Sequence, residues 1–225
     1  MKIALIGTGK TGGRVAELIP SEQLIGPFNS RHAPTLDELS SADATIIFTP
    51  GTVVEELIDV VMASGKPAVW GSTGFTWPEG IEHKLIQKGL CWAASANFSL
   101  AMPIIQKMIQ ALAAADDLLE ESAFSLHETH HTAKKDGPSG TALQWKSWLR
   151  KEADVSFSRK GDITGIHTLQ LKTPYETITL QHEALDRALF AKGALWTAKL
   201  LAEKNFTKPG LHTLQCIVEA QLEKK

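Results

Sequence analysis

The chain has 225 residues, room for one large or two small domains, and its 43% hydrophobic and 21% charged residues suit a globular protein. A formal charge of −2 gives no electrostatic reason to expect nucleic acid or a membrane as partner, and no apolar run reaches the roughly 18 residues that span a bilayer. Met1 to Gly7 is too short for a signal peptide and lacks a cleavage site, and Cys91 and Cys216 sit in apolar surroundings without metal-ligand spacing, so a cytoplasmic protein with two buried free thiols and no metal is expected.

Lys2 to Ile6 reads as a buried parallel strand. Gly7-Thr8-Gly9-Lys10-Thr11-Gly12-Gly13 follows at once, and Val15, Ala16, Leu18 and Ile19 then recur at helical spacing until Pro20. Leu24 to Gly26 is a second strand and Ala44 to Thr49 a third, with a short connection between them. Thr52 to Met62 is helical, Pro67 to Trp70 a strand, Ile81 to Gln87 a helix and Leu90 to Ala94 a fifth strand. This alternation over residues 1 to 96 predicts a Rossmann-type, doubly wound parallel sheet with right-handed crossovers.

The pattern changes after Asn97. Leu100 to Leu112 is a long apolar helix with Pro103 in its first turn. Glu120 to His127, Ile166 to Leu171 and Thr177 to Leu180 alternate as strands of an open antiparallel or mixed sheet with one covered face. Helical spacing returns from Ala188 to Leu201 and again from Leu214 to Ala220. The expected division is 1–98 with 188–225 as one domain and 99–187 as a second, α+β domain. A hinge is expected near 97–99 and 184–190.

Gly7-x-Gly9-x-x-Gly12 stands where a dinucleotide fingerprint must stand, after a first strand and opening a helix. The first glycine permits the tight turn, the second lets a pyrophosphate approach the backbone, and the third allows helix and strand to pack closely. The carboxylate that binds NAD ribose is due about 20 residues on. Instead that region reads Asn29-Ser30-Arg31, which suits a 2′-phosphate and favours NADPH over NADH. Two more strand ends carry small, hydroxyl-bearing loops, Thr49-Pro50-Gly51 and Gly71-Ser72-Thr73-Gly74.

The most chemically loaded stretch runs from Glu128 to Ala142, Glu-Thr-His-His-Thr-Ala-Lys-Lys-Asp-Gly-Pro-Ser-Gly-Thr-Ala. So polar a run is expected outside the core. Its latter part, Pro138 to Thr141, leads into the apolar-periodic Leu143 to Leu149 and reads as a helix start, whose N–H groups bind carboxylate or phosphate. A lone lysine pair would read as a solvated face. Beside two histidines and an anion-binding turn, it reads instead as a site holding a small anion next to a proton-transferring imidazole.

These residues resemble a known family. Glu128-x-His130-His131-x-x-Lys134-x-Asp136-Gly137-Pro138-Ser139-Gly140-Thr141-Ala142 is similar to the signature of dihydrodipicolinate reductase, the 4-hydroxy-tetrahydrodipicolinate reductase of lysine and diaminopimelate biosynthesis. Further matches are Gly7-Thr8-Gly9, Gly71 to Gly74, Asn97-Phe98-Ser99 and His182 to Gly193. The resemblance implies that a hydride from NADPH or NADH is delivered to a cyclic dicarboxylate. It implies His130 as acid–base and Lys134 as second proton donor, with His131, Gly140 and Thr141 holding substrate carboxylates. It assigns Gly71, Ser72, Thr73, Ser95, Ala96, Asn97, Phe98, Arg187 and Phe190 to the cofactor, beside Gly7, Thr8, Gly9, Lys10, Thr11 and Gly12 of the turn and Arg31. It implies a homotetramer in which 1–98 with 188–225 is the dinucleotide-binding domain and 99–187 the substrate-binding and oligomerisation domain.

The usual Gly-Arg-Met-Gly of the family's turn is replaced by Lys10-Thr11-Gly12-Gly13, leaving Lys10 or Arg14 for the missing arginine. Lys135 reads as solvated. His32, His83, His127, His167 and His212 read as surface or satisfied histidines. Two rival readings are an NADPH-binding sensor without chemistry and a dehydrogenase of another amino-acid pathway.

Overall fold

The structure, a computed structural model, describes residues 1–224 and divides into two compact units. One comprises Met1–Met102 together with the chain from Ala188 on, the other Pro103–Arg187.

In chain order the first unit begins with β1 (Ile3–Ile6), α1 (Lys10–Leu18), β2 (Leu24–Phe28), α2 (Leu36–Ser40), β3 (Ala44–Ile47), α3 (Val54–Ala63), β4 (Ala68–Trp70), α4 (Ile81–Gln87) and β5 (Cys91–Ala94). The chain continues through α5 (Ala101–Ala115), β6 (Ala123–His130), α6 (Gly140–Leu149), β7 (Ala153–Arg159), β8 (Ile166–Lys172) and β9 (Thr177–Glu183). It closes with α7 (Ala188–Ala202), β10 (Gly210–Thr213) and α8 (Leu214–Leu222).

The first unit's sheet has the order β10-β5-β4-β3-β1-β2 and every pairing in it is parallel. Both its faces are covered, which is why β1 and β4 are apolar at every position and β3 at every position but Thr45. Side chains alternate between the faces. Ile3, Leu5, Ile46, Val69 and Ala93 pack with Val15 of α1, with Ala191, Ala194 and Ala198 of α7, and with Ile217 of α8. Ala4, Ile6, Ile47, Trp70 and Trp92 pack with Ile58 and Val61 of α3 and Leu85 of α4. Burial of these runs against helices on both sides is the main stabilising contribution to the unit.

Three features depart from the sequence expectation. β2 runs on through Pro27 to Phe28; at the sheet edge a missing N–H costs no ladder bond. The short connection after it still holds α2, whose capping box between Thr35 and Glu38 stabilises a single turn. β10 was not anticipated, because four residues at the edge, Gly-Leu-His-Thr, carry no alternation of their own; its pairing with β5 defines it. The thiols also differ. Cys91 is half-buried, and burial pushes it up to about 12, but Cys216 is exposed on α8.

The second unit's sheet has the order β7-β6-β8-β9, with β6 and β7 parallel and the other pairs antiparallel, hence mixed. β6-α6-β7 is a strand–helix–strand crossover. β7 escaped the sequence reading, although Val155 and Phe157 alternate with polar neighbours in Ala153–Arg159. On the covered face, cross-strand pairs change character along β6 and β8. Phe124 faces Leu171 and Leu126 faces Leu169, and then Glu128 faces His167. One sheet face therefore passes from hydrocarbon to ionisable groups without leaving the interior. Ala142, Trp145 and Leu149 of α6 are buried in this unit as well.

Candidate functional site

The nucleotide end belongs to the first unit. Gly7 turns the chain after β1 at φ +99°, and a Cβ there would overlap the Phe48 carbonyl. A Cβ on Gly12 would overlap the Gly7 carbonyl, so α1 can approach the turn only with glycine at that position. At Gly9 a Cβ would meet nothing within 4 Å. Gly9 is the N-cap of α1, with no side-chain cap and no acidic residue in the first turn. The N–H groups of Lys10, Thr11 and Gly12 therefore have no intrahelical partner, and they and the positive end of the dipole suit a phosphate anion. This donor set fits the pyrophosphate of a nicotinamide dinucleotide.

A cavity of about 500 Å³ adjoins the turn, lined among others by Gly7, Thr8, Gly9, Asn29, Ser30 and Thr49. Arg31 is exposed, and its backbone N–H donates to Asn29 Oδ1 at 2.9 Å. The strand-end loops are tied together, Ser72 Oγ accepting the Thr49 N–H at 3.0 Å. Gly71 and Thr73 flank that serine. Ser95, Ala96 and Asn97 form a compact turn, in which Ser95 Oγ donates to the Asn97 carbonyl at 2.7 Å and Asn97 Oδ1 accepts the Ser99 N–H at 2.8 Å. Phe98 is in the core, edge-on to Phe48. Arg187 is exposed, and Phe190 is half-buried on α7.

The polar end belongs to the second unit, where the run from Glu128 to Ala142 is partly core, contrary to expectation. Glu128, His130 and Ser139 are all buried. Burial of a carboxylate requires compensation, and Glu128 has three donors. Arg159 Nη2 lies 3.1 Å from Oε1, the Ser139 N–H donates to the same oxygen at 3.2 Å, and His130 Nδ1 bonds Oε2. β6 supplies Glu128 and His130, two residues apart and thus on one face; β7 supplies Arg159; the loop entering α6 supplies Ser139.

Glu128 fixes which imidazole nitrogen faces the carboxylate, and His130 Nε2 points toward Gly165, where a side chain would approach it at 2.9 Å. Burial pushes the His130 pKa below the ordinary histidine range, and the adjacent Glu128 opposes the shift without cancelling it.

Lys134 sits in the loop between β6 and α6, its Nζ 2.7 and 2.6 Å from the two Asp136 carboxylate oxygens. Hydrogen bonding to Lys134 holds the Asp136 carboxyl below its usual range. Asp136 is exposed, so the pair is weak and Lys134 can leave it for a stronger anion. Arg159 pins the same loop, its Nε donating to the Lys134 carbonyl at 3.1 Å and its Nη2 to the Asp136 carbonyl. His131 is half-buried just past β6, and Lys135 is exposed.

α6 opens at Gly140 with Ser139 as N-cap, its Oγ accepting the Ala142 N–H at 3.2 Å. The cap leaves the Gly140 and Thr141 N–H groups without intrahelical partners, as an anion site requires.

His167, expected to be incidental, is buried with its ring 5.2 Å from that of His130. Burial first, and the His130 charge second, push it down to about 4. One ligating atom each from Glu128, His130 and His167 lies within 4.8 Å of the others; the Arg159 guanidinium already balances the carboxylate. Arg159 and His167 both escaped the sequence reading. His167 had a signal in its strand, where it takes the alternating position occupied by Leu169 and Leu171.

Residues 102–218 match the model of the dihydrodipicolinate reductase C-terminus. A 4-hydroxy-tetrahydrodipicolinate reductase of Rickettsia bellii is 31% identical over 95% of this chain and 93% of its own length. The chain belongs to the dihydrodipicolinate reductase family. A 4-hydroxy-tetrahydrodipicolinate reductase of Bdellovibrio bacteriovorus is 28% identical over all of this chain and 99% of its own length. The fold matches that of a dipicolinate-bound dihydrodipicolinate reductase from Paenisporosarcina sp. TG-14 with a TM-score of 0.77 at 16% identity, covering 96% of this chain and 99% of that one. As a dihydrodipicolinate reductase family member the chain is an oxidoreductase that uses a nicotinamide cofactor. No helix among the described residues is long and apolar enough to cross a membrane.

Proposed function

We propose that this chain reduces 4-hydroxy-tetrahydrodipicolinate to tetrahydrodipicolinate on the route to diaminopimelate and lysine. The observation that carries the reading is the buried Glu128–His130 pair, with the α6 N-terminus bonded to the same carboxylate through Ser139. One arrangement thus offers a proton-transferring imidazole and a seat for a carboxylate.

The substrate's 4-hydroxyl leaves as water, and NAD(P)H, when bound, would supply a hydride to the unsaturated ring carbon that this creates. The electron density created in the ring must be met by a proton. His130 donates it from Nε2, with Glu128 stabilising the positive imidazole through Nδ1. Lys134 is the second donor, its Nζ leaving Asp136 as the dicarboxylate arrives. The Gly140 and Thr141 N–H groups take one substrate carboxylate and His131 takes part in holding the other.

The cofactor turn uses Gly7, Thr8 and Gly9 with the N–H groups of Lys10, Thr11 and Gly12. Gly71, Ser72, Thr73, Ser95, Ala96, Asn97 and Phe98 take the nicotinamide end, and Arg187 and Phe190 close on the cofactor. NADPH is favoured over NADH because Asn29 and Ser30 line the cavity beside the turn, Arg31 follows them, and no carboxylate stands at the end of β2. The reading also implies a cytoplasmic homotetramer, to be checked by sedimentation.

The test is a stopped assay with freshly generated 4-hydroxy-tetrahydrodipicolinate and each cofactor separately, repeated with Arg31→Ala. Substrate-dependent oxidation, faster with NADPH, is the expected result. Nucleotide binding without oxidation would identify a sensor and end the catalytic reading. A preference for NADH that Arg31→Ala leaves unchanged would end the 2′-phosphate reading alone.

A further inference from the structure

We propose that His167 is a positioning residue that fixes the α6 N-terminus against the Glu128–His130 pair, so that affinity for the substrate carboxylate depends on its imidazole. This rests on the substrate reading above and adds to it a residue outside the β6–α6 motif.

Ser139 is the junction. Its N–H donates to Glu128 Oε1 at 3.2 Å, its Oγ is 3.0 Å from His167 Nε2, and that Oγ accepts the Ala142 N–H at 3.2 Å. Glu128 and His167 are directly opposed on the antiparallel strands β6 and β8, so both point to the same covered face. The first residue before α6 is thereby held at two points by two neighbouring strands, and the direction of the Gly140 and Thr141 N–H groups follows from that.

The ring of His167 also fills space, 5.6 Å from the Trp145 ring on α6 and edge-on to His130 at 5.2 Å. A phenyl ring could fill the same space. What demands an imidazole is the bond to Ser139, because His167 is 4% exposed and its Nδ1 has no hydrogen-bond partner. A buried orphaned polar atom is costly, and a histidine is kept here at that cost for the bond its other nitrogen makes.

The two roles separate by substitution. His167→Phe keeps the ring and deletes the bond; His167→Gln reaches Ser139 with its amide and loses the ring. Both leave Glu128, His130 and Arg159 in place. The probe is pyridine-2,6-dicarboxylate, titrated calorimetrically into the full chain saturated with NADPH.

His167→Phe is expected to weaken dicarboxylate binding about tenfold, the loss of one buried hydrogen bond, while His167→Gln stays within about threefold of the parent. NADPH affinity should be unchanged in both, and urea unfolding of each variant reports whether the unit that carries His167 is folded. Equal affinity of His167→Phe and the parent, or equal loss in Phe and Gln, overturns the proposal. Ser139→Ala deletes the same bond from the other side, so adding His167→Phe to it should cost nothing more; a further tenfold loss refutes the proposal. If the parent itself binds no dicarboxylate, the substrate reading falls and takes this assignment with it.

Discussion

Arg159 and Glu128 lie on neighbouring parallel strands and meet with Nη2 3.1 Å from Oε1, the carboxylate wholly buried and the arginine half-buried. The same guanidinium reaches the backbone carbonyls of Lys134, Asp136 and Ser158. One side chain therefore neutralises the carboxylate that orients His130 and pins the loop that carries Lys134.

Arg159→Gln should accordingly act on stability and on catalysis together. Breaking a buried pair by removing one partner costs about 3–5 kcal/mol, and urea unfolding should show a loss of that order. Turnover should fall as well, since Lys134 and Glu128 lose a common anchor. A variant with parental stability would show that Glu128 is sufficiently compensated by His130 and Ser139.

His130→Ala and Lys134→Ala should each lower kcat by about 10²–10⁴-fold, the usual worth of a general acid. NADPH affinity should hold, because the glycine turn lies in the other unit. Unchanged turnover in both would end the assignment of proton donors.

The histidine buried beside His130 makes stability depend on pH. His167 is pushed down to about 4 in the folded chain from an ordinary 6.5, so between those values the unfolded chain holds a proton that the folded chain does not. Its contribution to stability is therefore complete above about pH 6.5 and is lost as the pH falls toward 4, by up to about 3 kcal/mol. His130 and His182 are shifted in the same direction and add to the slope. Urea midpoints measured from pH 4.5 to 7.5 should show a shallower slope in His167→Phe; an unaltered slope would assign the effect to other groups.

Gly12→Ala sets two effects against each other. Alanine is favoured over glycine inside a helix by about 1 kcal/mol, but its Cβ would overlap the Gly7 carbonyl, a backbone atom that cannot swing aside. The overlap should prevail, lowering the melting temperature and NADPH affinity. Gly13→Ala is the control, since its Cβ would meet Thr8 O at an ordinary 3.8 Å; it should melt at or above the parental temperature. Equal behaviour of the two would refute the packing role of Gly12.

Legibility varied with how local the cause was. β1, β3 and β4 were readable because full burial in a parallel sheet gives near-continuous apolar runs, broken here only by Thr45. The Gly7–Gly12 turn and the start of α6 at Gly140 were readable because turn and cap chemistry is written in adjacent residues. β7 and β10 were not: β10 has only four residues, and each is defined by the strand beside it. The burial of Glu128 was misread for the same reason, as its compensating Arg159 lies 31 residues away.

The order of amino acids by itself determined the fold class, the family and the identity of the motif that carries His130 and Lys134, because periodicity, turn chemistry and motif spacing are properties of neighbours in the chain. Which of the motif's ionisable groups are interior, which nitrogen of His130 faces the carboxylate, and that Arg159 and His167 complete the cluster were decided only by tertiary structure. Electrostatics acts through space: burial and the approach of a charge from another strand set what a histidine or glutamate does, and neither is recorded in the residues beside it.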